Sequence, residues 1–274
     1  MRHRAEVCGS EPIVPWTDVL LIDDNLDLIG SEVLDGVERT IGCSLPADYR
    51  AIMGAFGVGT YSGFIFFWHP SEIPQRTEYS RGVWTEYSHF FWPQSDSVLS
   101  LDLALQSFVL AITLDGDEII FCPPAQNGLF VLPRHEEVIR RMPSGLSDPL
   151  VWEGGEPGPE TNGPRYFEPV KCRGHVELFT ARTDLTIDSV YQQILPRLSP
   201  QAEPVPKIDG ESYRIALFKS ERSIVQLTTA GGDDRRIGVR IDYNLGQVNA
   251  VEALVVELIS TGFNEIGRSP STNG

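Results

Sequence analysis

Glu38-Arg39-Thr40-Ile41-Gly42-Cys43-Ser44-Leu45-Pro46-Ala47-Asp48-Tyr49-Arg50 is a corner, where one helix has to end and another begin. Upstream of it, Val33, Leu34, Val37 and Ile41 recur at helical spacing. Ser31 can cap the start, so the spacing predicts a helix over 31–41. Gly42 closes it, because glycine accepts the left-handed conformation that ends a helix. Leu45-Pro46 opens the next helix, since a first-turn N–H has no partner to lose and proline presets the backbone. Tyr49, Ile52, Met53 and Phe56 supply its buried face, and Gly57 and Gly59 stop it.

Past the corner the period becomes extended. Tyr61, Phe64, Ile65, Phe66, Phe67 and Trp68 read as an aromatic strand ending at Pro70. Residues 75–98 are rich in aromatics but show no clear period. Val109–Leu114 and Asp117–Cys122 flank Asp115-Gly116, a pair suited to a tight hairpin turn. Gly128–Leu132 is a further strand. Glu136–Met142 reads as a short closing helix, with acids at its start and Arg140 and Arg141 at its end.

Residues 1–15 read as a loose arm, 16–145 as the first domain, and the Pro/Gly-rich stretch 146–174 as a linker. Trp152, Tyr166 and Phe167 in that linker need something to cover them. Residues 175–268 read as a second domain: a strand over 176–182, a helix from Thr186 to Leu195, and a hairpin of 213–219 with 224–229. A strand over 236–243 and a helix carrying Val248, Val251, Leu254, Val255, Leu258 and Ile259 complete it. Residues 269–274 read as a disordered tail. The expected fold class is α+β throughout, with helices packed on mainly antiparallel sheets.

The chain has 274 residues and a net charge of −16. Residues 1–150 hold 21 acidic and 9 basic side chains, net −12, and residues 151–274 hold 17 and 13, net −4. A field this negative repels nucleic acid and anionic lipid and speeds encounter with a basic protein. No apolar run reaches the ~20 residues of a membrane span, and no apolar stretch follows Arg2 and Arg4, so a cytoplasmic location is expected. Nineteen arginines against three lysines fit a GC-rich bacterial genome.

Chemistry-bearing patterns are sparse. Cys8, Cys43, Cys122 and Cys172 stand singly, which favours free thiols over disulfides or zinc. No two of His3, His69, His89, His135 and His175 have ligand spacing. Gly57-Val58-Gly59 follows a helix and precedes a strand, the reverse of a phosphate loop. Ser62-Gly63 lacks the nucleophile-elbow pattern. Asp115, Asp117 and Glu118 crowd a hairpin tip without the calcium-loop spacing. No catalytic residues, cofactor or metal are expected.

The corner resembles the SUKH superfamily. That signature is a helix ending Glu-x-x-x-Gly, then Leu-Pro-x-Asp-Tyr opening the next, matched here by Glu38, Gly42, Leu45, Pro46, Asp48 and Tyr49. Arg50 and the stop at Gly57 follow. Pro70-Ser71-Glu72-Ile73, Asp115-Gly116 and Gly128-Leu129-Phe130 continue the family's order, so the likeness spans roughly residues 30–145. The resemblance implies a SUKH-like domain and a non-catalytic role. Bacterial members are mostly immunity proteins that neutralise polymorphic toxins, often basic nucleases. Eukaryotic relatives regulate cell-wall synthesis through protein contacts. The expected function is therefore neutralisation of a basic toxin domain by direct contact; the alternative is a regulatory adaptor or scaffold for a cellular protein. Contact residues are sought among acids near loops: Glu72, Glu86, Asp96, Asp115, Asp117 and Glu118.

Overall fold

In the computed structural model the described residues are 16, 19–92, 98–134, 138–153, 165–170, 173–182, 184–198, 213–218, 223–230 and 236–269. The expected arm (1–15), Asp96, residues 154–164 and 171–172 of the Pro/Gly-rich stretch, and residues 270–274 lie outside them. Among the described residues the chain is α+β with two sheets.

The first strand, β1 (Leu20–Leu21), leads to the corner. Helix α1 is Ser31–Ile41 and helix α2 is Ala47–Ala55. Gly42 has φ 77° and donates its N–H to the Glu38 carbonyl at 2.9 Å, as a left-handed helix stop requires. Gly30, not Ser31, holds the N-cap position, and Val33 faces solvent while Leu34 and Val37 are buried.

The signature side chains turn out to tie the corner together. Glu38 Oε1 accepts the Leu45 N–H at 2.8 Å and pairs with Arg50 at 2.9 Å, and Arg50 also holds Asp35 at 2.8 Å. Tyr49 is fully buried and donates its hydroxyl to the Trp68 carbonyl at 3.1 Å. Asp48 accepts the N–H of Leu146, locking a distant loop to the start of α2. Gly57 has φ 77°, and a Cβ there would lie 2.0 Å from the Asp27 carbonyl oxygen.

Strands β2 (Gly59–Tyr61), β3 (Ile65–Phe67), β4 (Phe108–Thr113), β5 (Glu118–Cys122), β6 (Gly128–Leu132), β7 (Arg140–Arg141) and β8 (Tyr166–Pro169) complete the first sheet. Its order is β1-β8-β2-β3-β4-β5-β6-β7, antiparallel apart from the β1–β8 pair. The expected single aromatic strand is a hairpin, because Ser62 and Gly63 take φ 51° and 66° and fold the run back on itself. Residues 138–142 are not helical as expected. Arg140 and Arg141 instead pair with Val131 and Phe130 on the open edge of β6, whose unpaired backbone groups offer a ladder.

The stretch 146–174 is not simply a linker. Its β8 sits between β1 and β2, and Phe167 stacks on Phe56 with ring centroids 5.0 Å apart. Leu146 and Leu150 are buried in the same core. The aromatics that needed cover are covered by the first sheet.

Between β3 and β4 lie α3 (Ile73–Glu86), α4 (Ser88–Phe91) and α5 (Leu101–Ala104). Helix α3 escaped the sequence pattern because its buried residues are Ile73, Thr77, Ser80 and Trp84. The spacing is helical, but two of the four are small and polar.

The second sheet holds β9 (Arg173–Thr180), β10 (Tyr213–Phe218), β11 (Ser223–Ala230), β12 (Arg236–Asn244) and β13 (Asn264–Ser269). Its order is β10-β11-β12-β9-β13, antiparallel throughout. Helices α6 (Ile187–Leu198) and α7 (Val248–Ser260) pack together against it, sharing one core with Val176, Val225, Val239 and Phe263. Thr186 caps α6 as expected, accepting the Ser189 N–H at 3.1 Å. The polar end of the chain is a strand up to Ser269, where a disordered tail was expected from 269. Gly262 at φ 103° turns the chain back, and Thr180 donates its hydroxyl to the Gly262 carbonyl at 2.9 Å.

Candidate functional site

Helix α3 lies across β4 and β5, and the β4–β5 hairpin carries Asp115, Asp117 and Glu118 at its turn. Gly116 makes that turn possible with φ 89°. Asp115 is exposed. Asp117 Oδ1 accepts the Arg134 N–H at 2.8 Å, fastening the turn to the chain beyond β6. Glu118 is turned inward. Ser80 Oγ donates to its Oε1, and the Trp84 indole N–H donates to Oε2 at 2.7 Å.

Both donors on Glu118 are neutral. Among the described residues no cationic side chain is paired with it. Burial pushes the Glu118 carboxyl above the usual glutamate range, and the hydrogen bonds from Ser80 and Trp84 oppose that rise without cancelling it. The carboxylate opens on a groove of about 390 Å³ lined by Tyr79, Val83, Trp84, Ile112, Glu118 and Arg134 among others. Tyr79 stands at its rim with 74% of its surface exposed.

The acids expected at a contact surface meet different fates. Glu118 lies inside the groove and Asp115 at the adjoining turn. Asp117 is engaged by the Arg134 backbone. Glu86 is exposed at the far end of α3, on the same side of the helix as Tyr79. Glu72 sits at the near end and pairs with Arg76 at 3.1 Å, whose guanidinium lies 4.0 Å over the Trp68 ring. Asp96 lies outside the described residues. Five of the six thus lie along α3 and the hairpin beneath it. The sequence reading missed Tyr79, Ser80 and Trp84, which build the groove wall; the aromatic density of 75–98 was the only sign of them.

Two other cavities have a different chemistry. A larger one of about 740 Å³ lies under the corner, lined by Cys43, Pro46, Asp48, Asn127, Arg141 and Gly145 among others. Its carboxylate, Asp48, is occupied by the Leu146 N–H, and burial, aided by the nearby Glu38, pushes the Cys43 thiol above its ordinary value, away from a reactive thiolate. The third, about 290 Å³, lies where the two sheets meet, with Glu168, Gln226, Arg240 and Asp242 in its wall. There Arg240 is committed to Asp242 at 2.8 Å and Glu177 at 3.2 Å. Hydrogen bonding to Asp242 raises its already high pKa, so it stays a structural cation.

Among the described residues no three His, Cys, Asp or Glu side chains gather as a metal site. Cys43 and Cys122 are free thiols; Cys8 and Cys172 lie outside the described residues. No helix among the described residues is long and apolar enough to cross a membrane. No family model, no curated protein and no solved structure matches the chain.

Proposed function

We propose that this chain is an immunity-type protein whose first half is a SUKH-like domain. It neutralises a cognate basic toxin domain in the cytoplasm by direct, non-catalytic contact. The observation that carries this reading is Glu118, a largely enclosed carboxylate with neutral donors only, open to a groove beside an acidic turn. Such a group favours the arrival of a cation, because a carboxylate removed from water gains most from an opposite charge. The net charge of −12 on residues 1–150 acts in the same direction at longer range. The ordered signature from Glu38 to Phe130 supports the family assignment, and the side chains of its Glu38–Arg50 part serve the corner, leaving the α3 face for the partner.

Association kinetics with basic toxin domains encoded beside this gene test the reading. The on-rate falls steeply between low and physiological salt while the off-rate changes little, because screening acts on the encounter. An on-rate indifferent to salt would mean that apolar contacts dominate and that the acidic face is not the docking surface.

A further inference from the structure

We infer that the groove between α3 and the β4–β5 hairpin is a socket for one basic side chain of the partner, an arginine or lysine, with Glu118 as its counter-ion and Tyr79 as its lid. This deepens the proposed function and rests on it.

Three features converge on a single long cation. The groove is small, about 390 Å³, which suits a side chain and not a polypeptide segment. Its walls offer apolar surface from Val83, Ile112, Leu132 and Pro133 to the methylene stem of an incoming residue. Glu118 waits with both oxygens held in place by Ser80 and Trp84, so that its orientation is fixed before anything binds. Each oxygen keeps an acceptor site beyond the one in use, and a planar guanidinium can address both.

Tyr79 completes the case. An aromatic ring 74% exposed on a helix side is available to cover a cation from above, where ring faces attract positive charge. Arg134 also lines the groove, and its Cδ and Nη1 lie within about 3 Å of where a Gly116 Cβ would stand. That places its stem and guanidinium against the hairpin turn, as a rim of the socket. The two cations on α3 are directed elsewhere. Arg76 is held by Glu72 and Trp68, and Arg81 donates to the Ser107 carbonyl at 3.0 Å.

The indole N–H of Trp84 reports directly on Glu118, so the test is a nuclear magnetic resonance titration of the full chain. The probes are N-acetyl-arginine amide, N-acetyl-lysine amide and, as the neutral isostere, N-acetyl-citrulline amide. The arginine and lysine probes shift the Trp84 indole resonance saturably and the citrulline probe does not. E118Q, which keeps a partner for both Ser80 and Trp84, weakens the response about tenfold or more, the usual worth of a charge-assisted hydrogen bond. Tyr79→Ala, at a position too exposed to matter for folding, weakens it severalfold. Equal shifts from citrulline and arginine, or an undiminished response in E118Q, would overturn the socket. Absence of any shift at saturating probe would do so too. None of those results would touch the salt dependence of association with the whole toxin domain, so failure of the socket and failure of the immunity reading are separable.

Discussion

The Trp84 indole N–H donates to Glu118 Oε2 at 2.7 Å and joins helix α3 to strand β5. The same carboxyl is raised in pKa by burial, so folding weakens its ionisation relative to the unfolded chain. Its contribution to stability is then fully present below the unfolded value, about 4.3 for glutamate, and is lost as pH rises through the higher folded value. Urea unfolding of wild type and E118Q across that window checks this. The stability of E118Q relative to wild type rises with pH through the window and is level on either side of it. A difference that does not change with pH would show that Glu118 titrates normally.

Asp48 is expected to matter for stability and not for binding. It links the start of α2 to Leu146 across 98 residues. Asp48→Ala removes that link and is expected to lower unfolding stability by about 1.5–3 kcal/mol, the range for a hydrogen bond to a charged group. Toxin binding by the folded fraction stays as it was.

Gly57 and Gly82 are predicted to respond oppositely to alanine. At Gly57 a Cβ meets the Asp27 carbonyl oxygen at 2.0 Å, and φ is 77°. Gly57 also forms an isolated parallel β-bridge with Asp27, so Gly57→Ala forces that pairing apart and lowers the melting temperature. Gly82 lies in the exposed side of α3 with nothing within 4 Å of a Cβ. Gly82→Ala raises stability by about 0.5–1 kcal/mol through helix propensity. Thermal unfolding followed by circular dichroism distinguishes the two.

Fragments test how the halves are built. Strand β8 lies between β1 and β2, so a fragment of residues 1–145 lacks an internal strand of its own sheet. It is expected to unfold non-cooperatively or not to fold, whereas residues 1–170 fold. Residues 173–274, with their own five-stranded sheet and core, are expected to fold alone. Cooperative denaturant unfolding of 1–145 at the stability of 1–170 would contradict the role given to β8.

The corner at Gly42, the Asp115-Gly116 hairpin and helix α7 were legible because each rests on local chemistry: a left-handed stop, a tight turn, an apolar stripe. Strands β7, β8 and β13 were not, because a short strand is defined by the edge that receives it. Tyr166-Phe167 carries the right residues, yet only the slot beside β2 makes it a strand. Helix α3 was hidden by Thr77 and Ser80 on its buried face. Those residues are explained by function in the fold: Thr77 accepts the Val109 N–H at 3.0 Å, and Ser80 donates to Glu118. The acids of the candidate site were named from the sequence, but which one lies inside a groove depended on α3.

Neutralisation is measured by the growth of cells expressing each toxin encoded near this gene, with and without this protein. At least one toxin is expected to arrest growth alone, and co-expression of this chain to restore it. Arrest by every such toxin, unrelieved by this protein although it accumulates folded, would rule out an immunity function.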